Sequence, residues 1–107
     1  MFATAMQAQN FELHVEAKTV IPGRKIYLEY INEQGKVAKV DSASPSAQRK
    51  VTFKGQVKDQ GAFYLVNFFD TPKPQKVLLI LEGGETIDVV ADGINNEEGK
   101  GDFTLKG

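Results

Sequence analysis

The residues of this 107-residue chain that could do chemistry fall in three places. His14 stands between Glu12 and Glu16 at a spacing of two, which puts an imidazole and two carboxylates on one face of an extended strand. A His-Ser-Asp triad could use only His14, and an ordinary solvated strand row contains the same residues. Glu82 and Glu85 flank Gly83-Gly84, and with Asp88 they could supply the paired carboxylates a glycosidase uses as acid and base. That reaction needs a concave site and a carboxyl of raised pKa. Nothing near Glu82 reads as a cleft, so a solubilising turn is the expectation. Asp92-Gly93-Ile94-Asn95-Asn96-Glu97-Glu98 gathers the hard oxygen donors calcium takes, but not at the Asp-x-Asp-x-Asp-Gly spacing, and a hydrated turn accounts for it. Gly83-Gly84 precedes no helix whose N-terminus could hold a phosphate.

Counts close off other chemistries. With no cysteine there is no thiol nucleophile, thiolate-bound metal or redox dithiol within these residues, and a single histidine forbids a multi-histidine metal site in one chain. No cofactor or metal is expected, and no enzyme activity. The composition, 41% hydrophobic and 25% charged, is that of one globular domain able to build its own core. A net charge of −1 gives no general attraction to nucleic acid or an anionic membrane. The sign is uneven, because residues 82–107 hold seven acidic residues against Lys100 and Lys106. The longest apolar run is Val77 to Leu81, far short of the ~18 residues of a membrane helix.

The elements that would position these groups are strands. Phe11, Leu13, Val15 and Ala17 alternate with Glu12, His14, Glu16 and Lys18, a period of two with one apolar face. After the Pro22-Gly23 turn, Ile26, Leu28 and Tyr30 alternate with Tyr27, Glu29 and Ile31, and Asn32 to Gly35 closes a hairpin onto Lys36 to Ser42. Arg49 to Val57 follows, with Val51, Phe53 and Val57 inward and Gly55 marking a bulge or bend. Val77 to Leu81 turns at Glu82-Gly83-Gly84-Glu85 into a hairpin partner containing Ile87, Val89 and Ala91, and Phe103 and Leu105 close the chain. No stretch has a helical period. The pattern predicts an all-β domain of about eight strands over residues 10–107, an antiparallel β-sandwich or a partly open barrel. Residues 1–9 are small and uncharged, with the Ala3-Thr4-Ala5 spacing of a signal-peptidase site, and read as a signal-peptide remnant or a disordered tail.

Ala62 to Phe69 is apolar on both faces. A sandwich needs one face of each sheet for its core, so the second face, taken as Tyr64, Val66 and Phe68 with Leu78 and Ile80 and with Tyr27 and Ile31 beside them, is the candidate binding patch. Cover by the Pro72 to Pro74 loop or by the chain's closing strand is the plainer account of the same residues. Lys18, Lys36, Lys39 and Pro45 look like edge protection, and an edge strand left bare would pair with another chain, which leaves a homo-oligomer open.

Several pieces share an order with a known domain: Phe11-Glu12-Leu13, Gly23-Arg24-Lys25-Ile26-Tyr27-Leu28, Asp41-Ser42, Phe53-Lys54-Gly55-Gln56-Val57, Leu79-Ile80-Leu81-Glu82-Gly83-Gly84 and Phe103-Thr104-Leu105-Lys106-Gly107. From Asn10 to Gly107 the chain resembles the N-terminal domain of unknown function that precedes a thioredoxin-like module in TlpA/ResA-type envelope proteins of Bacteroidota. It departs from that pattern at Arg49 and Val51, where the family has Gly-x-Phe-x-Phe, and it has no Cys-x-x-Cys. The resemblance implies a periplasmic or cell-envelope location and a non-catalytic accessory domain, whose partner is a downstream thioredoxin-like domain or a protein client. The alternative is a ligand-binding module for glycan or peptide, with Tyr27 and Tyr64 on a shallow platform.

Overall fold

A computed structural model gives the fold, and the structure describes residues 10–56, 62–81, 84–95 and 101–107. Eight strands follow in chain order: β1 (Asn10–Ala17), β2 (Ile26–Ile31), β3 (Val37–Ala43), β4 (Lys50–Gln56), β5 (Ala62–Phe68), β6 (Gln75–Leu81), β7 (Glu85–Ala91) and β8 (Phe103–Lys106). They form two four-stranded sheets, ordered β4-β1-β7-β8 and β3-β2-β5-β6, that do not close into a barrel. The chain is an all-β sandwich.

The period of two decides which side chains meet. Leu13, Val15 and Ala17 of β1 lie directly beside Ile87, Val89 and Ala91 of β7, and Leu13 and Val15 beside Phe53 and Val51 of β4, so one apolar layer spans three strands. The opposing layer comes from Ile26 and Leu28, from Tyr64, Val66 and Phe68, and from Val77, Leu79 and Leu81; all are buried. Each fully buried Leu, Ile, Val or Phe contributes roughly 1.5–3 kcal/mol against the unfolded chain. Gln75 is the polar tie between the sheets: its Oε1 accepts from Gly93 N at 2.7 Å and its Nε2 donates to the Asp102 carbonyl at 3.1 Å. Gly93 has φ +89°, and a Cβ there would lie 2.4 Å from the Thr19 carbonyl oxygen, so only glycine fits.

Four details differ from the sequence reading. β1 and β7 pair in parallel, so the sandwich is mixed rather than antiparallel throughout. β7 is not the hairpin partner of β6, because the two strands belong to different sheets. Gly55 makes no bulge; the β1–β4 ladder runs through it in register, and its missing side chain leaves room for the Phe11 ring, 3.3 Å from where a Cβ would stand. Lys18 protects no edge, since β1 lies between β4 and β7. Val57 and residues 1–9 lie outside the described residues.

Candidate functional site

The outer surface of the β3-β2-β5-β6 sheet carries an unusual set of side chains for a face turned to water. Register places Val37, Ile31, Phe63 and Ile80 side by side across all four strands. Val37, Phe63 and Ile80 are 47%, 48% and 52% exposed, and Ile31 is half-buried. One step along the strands, Leu65 stands beside Leu78, which is 52% exposed. An apolar row with no polar interruption across a whole sheet is not needed for the core.

Where the apolar row ends, a charged cluster begins. Glu29, on the same outer face of β2, is buried. Its Oε1 accepts from Lys76 Nζ of β6 at 3.0 Å, its Oε2 accepts from Asn67 Nδ2 of β5 at 2.9 Å, and Lys39 Nζ of β3 lies 3.5 Å from Oε2. One carboxylate thus joins all four strands. Asn67, fully buried, spends its second amide proton on Asp70 Oδ1 at 2.9 Å and accepts from the Asp70 backbone N–H at 3.0 Å. That pair holds the turn after β5, where Phe69 and Asp70 sit at φ +74° and +50°, a conformation side chains other than glycine rarely adopt. Lys39 completes the cluster, 3.5 Å from Asp70 Oδ2 and 5.2 Å from the centre of the Tyr27 ring, within cation–π range.

The charges balance, two negative and two positive, and the titrations follow from the contacts. Burial pushes the Glu29 carboxyl up, but the hydrogen bonds from Asn67 and Lys76 and the charges of Lys76 and Lys39 outweigh it and hold it below the ordinary carboxylate range. Asp70 is also held low, first by its hydrogen bond from Asn67 and then, against some burial, by Lys39. For Lys39, burial works against the ammonium, and Asp70 with Glu29 outweighs burial and raises it.

The opposite outer face, on β4-β1-β7-β8, holds the groups first suspected of chemistry. His14 Nε2 contacts Glu12 Oε2 at 2.5 Å, and its Nδ1 lies 3.5 Å from Asp88 Oδ1 on β7. The hydrogen bond from His14, assisted by Lys54, holds the Glu12 carboxyl below its ordinary value against slight desolvation. A shallow cavity of about 350 Å³ opens over this face, lined by His14, Glu16, Lys50, Thr52, Asp88 and Lys106 among others. His14 is 46% exposed and Asp88 56%, so the row is solvated. From the neighbouring strand, Asp88 supplies the second carboxylate beside His14.

The candidate patch read from the sequence needs a correction. Tyr64, Val66 and Phe68 are 2%, 0% and 1% exposed and belong to the core, not to an outer surface. Register explains the error: Tyr64 faces Leu79 and Val66 faces Val77, both inward, whereas Leu78 and Ile80 stand beside Leu65 and Phe63. The outward apolar residues of β5 are therefore Phe63 and Leu65. Leu78 and Ile80 are on the outer face, and Tyr27 is there too, half-buried under Lys39. Tyr64 cannot join Tyr27 on a ligand platform, since its ring packs on Phe11 and Tyr30 at 6.0 Å and 5.4 Å between centres.

Glu29, Asn67 and Asp70 were missed as a group. The available signal was a lone acid at an outward position between Tyr27 and Ile31, with a lone amide two residues past Leu65. Glu82, Gly83 and Asn96 to Glu98 lie outside the described residues. In the rest of that loop Asp92 Oδ2 accepts from Asp102 N at 3.0 Å and Asn95 Nδ2 donates to the Lys73 carbonyl at 3.1 Å, both bracing contacts. Among the described residues no group of three acidic, histidine or cysteine side chains is placed to hold a metal ion, and no helix is long and apolar enough to cross a membrane. No family model matches the chain, and no curated protein or solved structure compared with it matches either.

Proposed function

We propose that this sandwich is a non-catalytic accessory domain of an exported protein, which lays the outer face of β3-β2-β5-β6 on a following thioredoxin-like domain or on a protein client. The carrying observation is the row Val37, Ile31, Phe63 and Ile80, apolar across four strands and half exposed at three of its positions. Burying such a row under a partner removes apolar area from water at about 25 cal/mol per Å². The Glu29 cluster beside it is charge-balanced, so it can edge an interface without carrying an unpaired charge into it. The order of sequence pieces shared with TlpA/ResA-type proteins supplies the expected neighbour and the envelope location.

A ligand-binding module for glycan or peptide is the second reading, favoured by the cavity over His14, Thr52, Asp88 and Lys106, whose lining mixes donors and acceptors. One experiment separates the two. The native reading frame is sequenced on both sides of these residues, and the encoded chain is expressed beside residues 10–107 alone. A downstream Cys-x-x-Cys module whose contact is lost with Phe63→Lys supports the accessory domain. A free-standing domain whose binding of a glycan or peptide library is lost with His14→Ala and unmoved by Phe63→Lys overturns it in favour of the second reading.

A further inference from the structure

The four edge strands of the sandwich are not equally defended. β3 is charged by Lys39 and broken by a register shift opposite Leu28 and Glu29. β4 carries Lys50 and Lys54 and is entered through Arg49 at φ +64°, and β8 has only four residues. β6 has none of these devices past Lys76: Val77 to Leu81 is an uncharged run of branched residues with no proline or bulge. Among the described residues its outer edge pairs with no strand. An unprotected edge of this kind presents free backbone N–H and C=O groups to any added strand.

The same flank of the sandwich is open in its other layer. Phe103 and Leu105 pair with Ala91 and Val89, so they stand on the core-facing side of β8, yet they are 47% and 45% exposed. The Gln75 amide, bonded to the Asp102 carbonyl, fixes β6 and β8 on one flank. A strand added beyond β6 extends the β3-β2-β5-β6 sheet on the flank where these two side chains stand.

We infer that the occupant is a second copy of this chain, its β6 antiparallel to β6 about a two-fold axis at Leu79. A two-fold requires that paired residues share a face, so the register must centre on a residue. Centring on Leu79 sets Leu78 against Ile80 and Val77 against Leu81 of the second copy, apolar on apolar throughout. Centring on Leu78 sets Lys76 against Ile80 instead. The pairing yields one eight-stranded sheet, closes the flank over Phe103 and Leu105, and stands whether or not the outer face takes a partner.

Sedimentation equilibrium across concentration, up to ~1 mM, tests it. The expected result is a mass rising from 11.8 kDa toward twice that value. L78K/I80K places like charges directly opposite at both contacts and weakens the dimer by ~10-fold or more. L78K/I80E carries as many substitutions on the same exposed positions but sets opposite signs against each other, and it pairs as the parent does. Phe63→Lys, one strand away, leaves the dimer intact. A parent that stays monomeric throughout, or associates without stopping at two, overturns the proposal. So does loss of association in L78K/I80E equal to that in L78K/I80K, or a dimer that only Phe63→Lys dissolves.

Discussion

The two outer faces of this sandwich are built on the same strand pattern and end differently. On β4-β1-β7-β8 the outward positions of β1 are Glu12, His14 and Glu16, with Thr52 and Asp88 on either side of His14, a row that water and its own short contacts satisfy. On β3-β2-β5-β6 the outward positions are Ile31, Phe63 and Ile80, and the one acid among them, Glu29, is sealed under two lysines and an asparagine. Acidic and histidine side chains drew attention first because their chemistry is legible. The face with a single acid is the one whose exposure the core does not explain.

The largest effect separates inside from outside on β5. Phe68→Ala empties a buried site and is expected to lower stability by about 3–5 kcal/mol, whereas Phe63→Ala is expected to change it by less than about 0.5 kcal/mol, both read by urea denaturation. Equal losses at the two positions would undo the assignment of faces.

Next comes the buried carboxylate. Glu29→Ala removes the acceptor of two hydrogen bonds and strands the buried Asn67 amide, for an expected loss of about 2 kcal/mol. The matching change on the polar face, Glu12→Gln, is expected to leave the denaturation midpoint in place, because its partners are solvated.

The pH dependence has a definite sign. Glu29 and Asp70 titrate lower in the folded chain than unfolded, so their contribution is complete above the ordinary carboxylate range and disappears as pH falls through their lowered values, starting below about pH 4–5. Lys39, raised in the folded chain, contributes fully below its ordinary value and loses that contribution as pH climbs past its folded one, above about pH 10. Thermal melts against pH should show both flanks, and Glu29→Gln should flatten the acidic one. An acidic flank unchanged in that variant would assign the loss to other carboxylates.

The smallest effect is at His14. His14→Ala is expected to leave the melting temperature unchanged within error at neutral pH, in keeping with an imidazole 46% exposed.

Much of the fold was legible because period-2 alternation speaks directly about burial. β1, β2 and the all-β class follow from Phe11 to Ala17 and Ile26 to Ile31 without any long-range information. Parity on β5 was not legible, since a strand apolar at every position from Phe63 to Val66 does not say which half faces the core. Its register with β2 and β6 decides that, since Val66 stands between Leu28 and Val77. That β6 and β7 belong to different sheets is equally silent locally, because a Gly-Gly pair in the sequence suits a hairpin and a crossover alike. The Glu29 cluster needed four strands brought side by side, and Lys39, Asn67 and Lys76 lie 10, 38 and 47 residues away from Glu29 in the chain.

The proposed function requires the outer face of β3-β2-β5-β6 to be covered in the working protein. Hydroxyl-radical footprinting of the chain expressed from its native reading frame, compared with residues 10–107 alone, tests it most directly. Protection of Phe63, Ile31 and Val37 in the longer chain or its complexes, with His14 labelled equally in both, is the expected result. Pairing at the β6 edge alone would shield Leu78 and Ile80 and leave Phe63 open. Equal labelling of Phe63 and Val37 in both samples, with no partner able to reduce it, would contradict the claim.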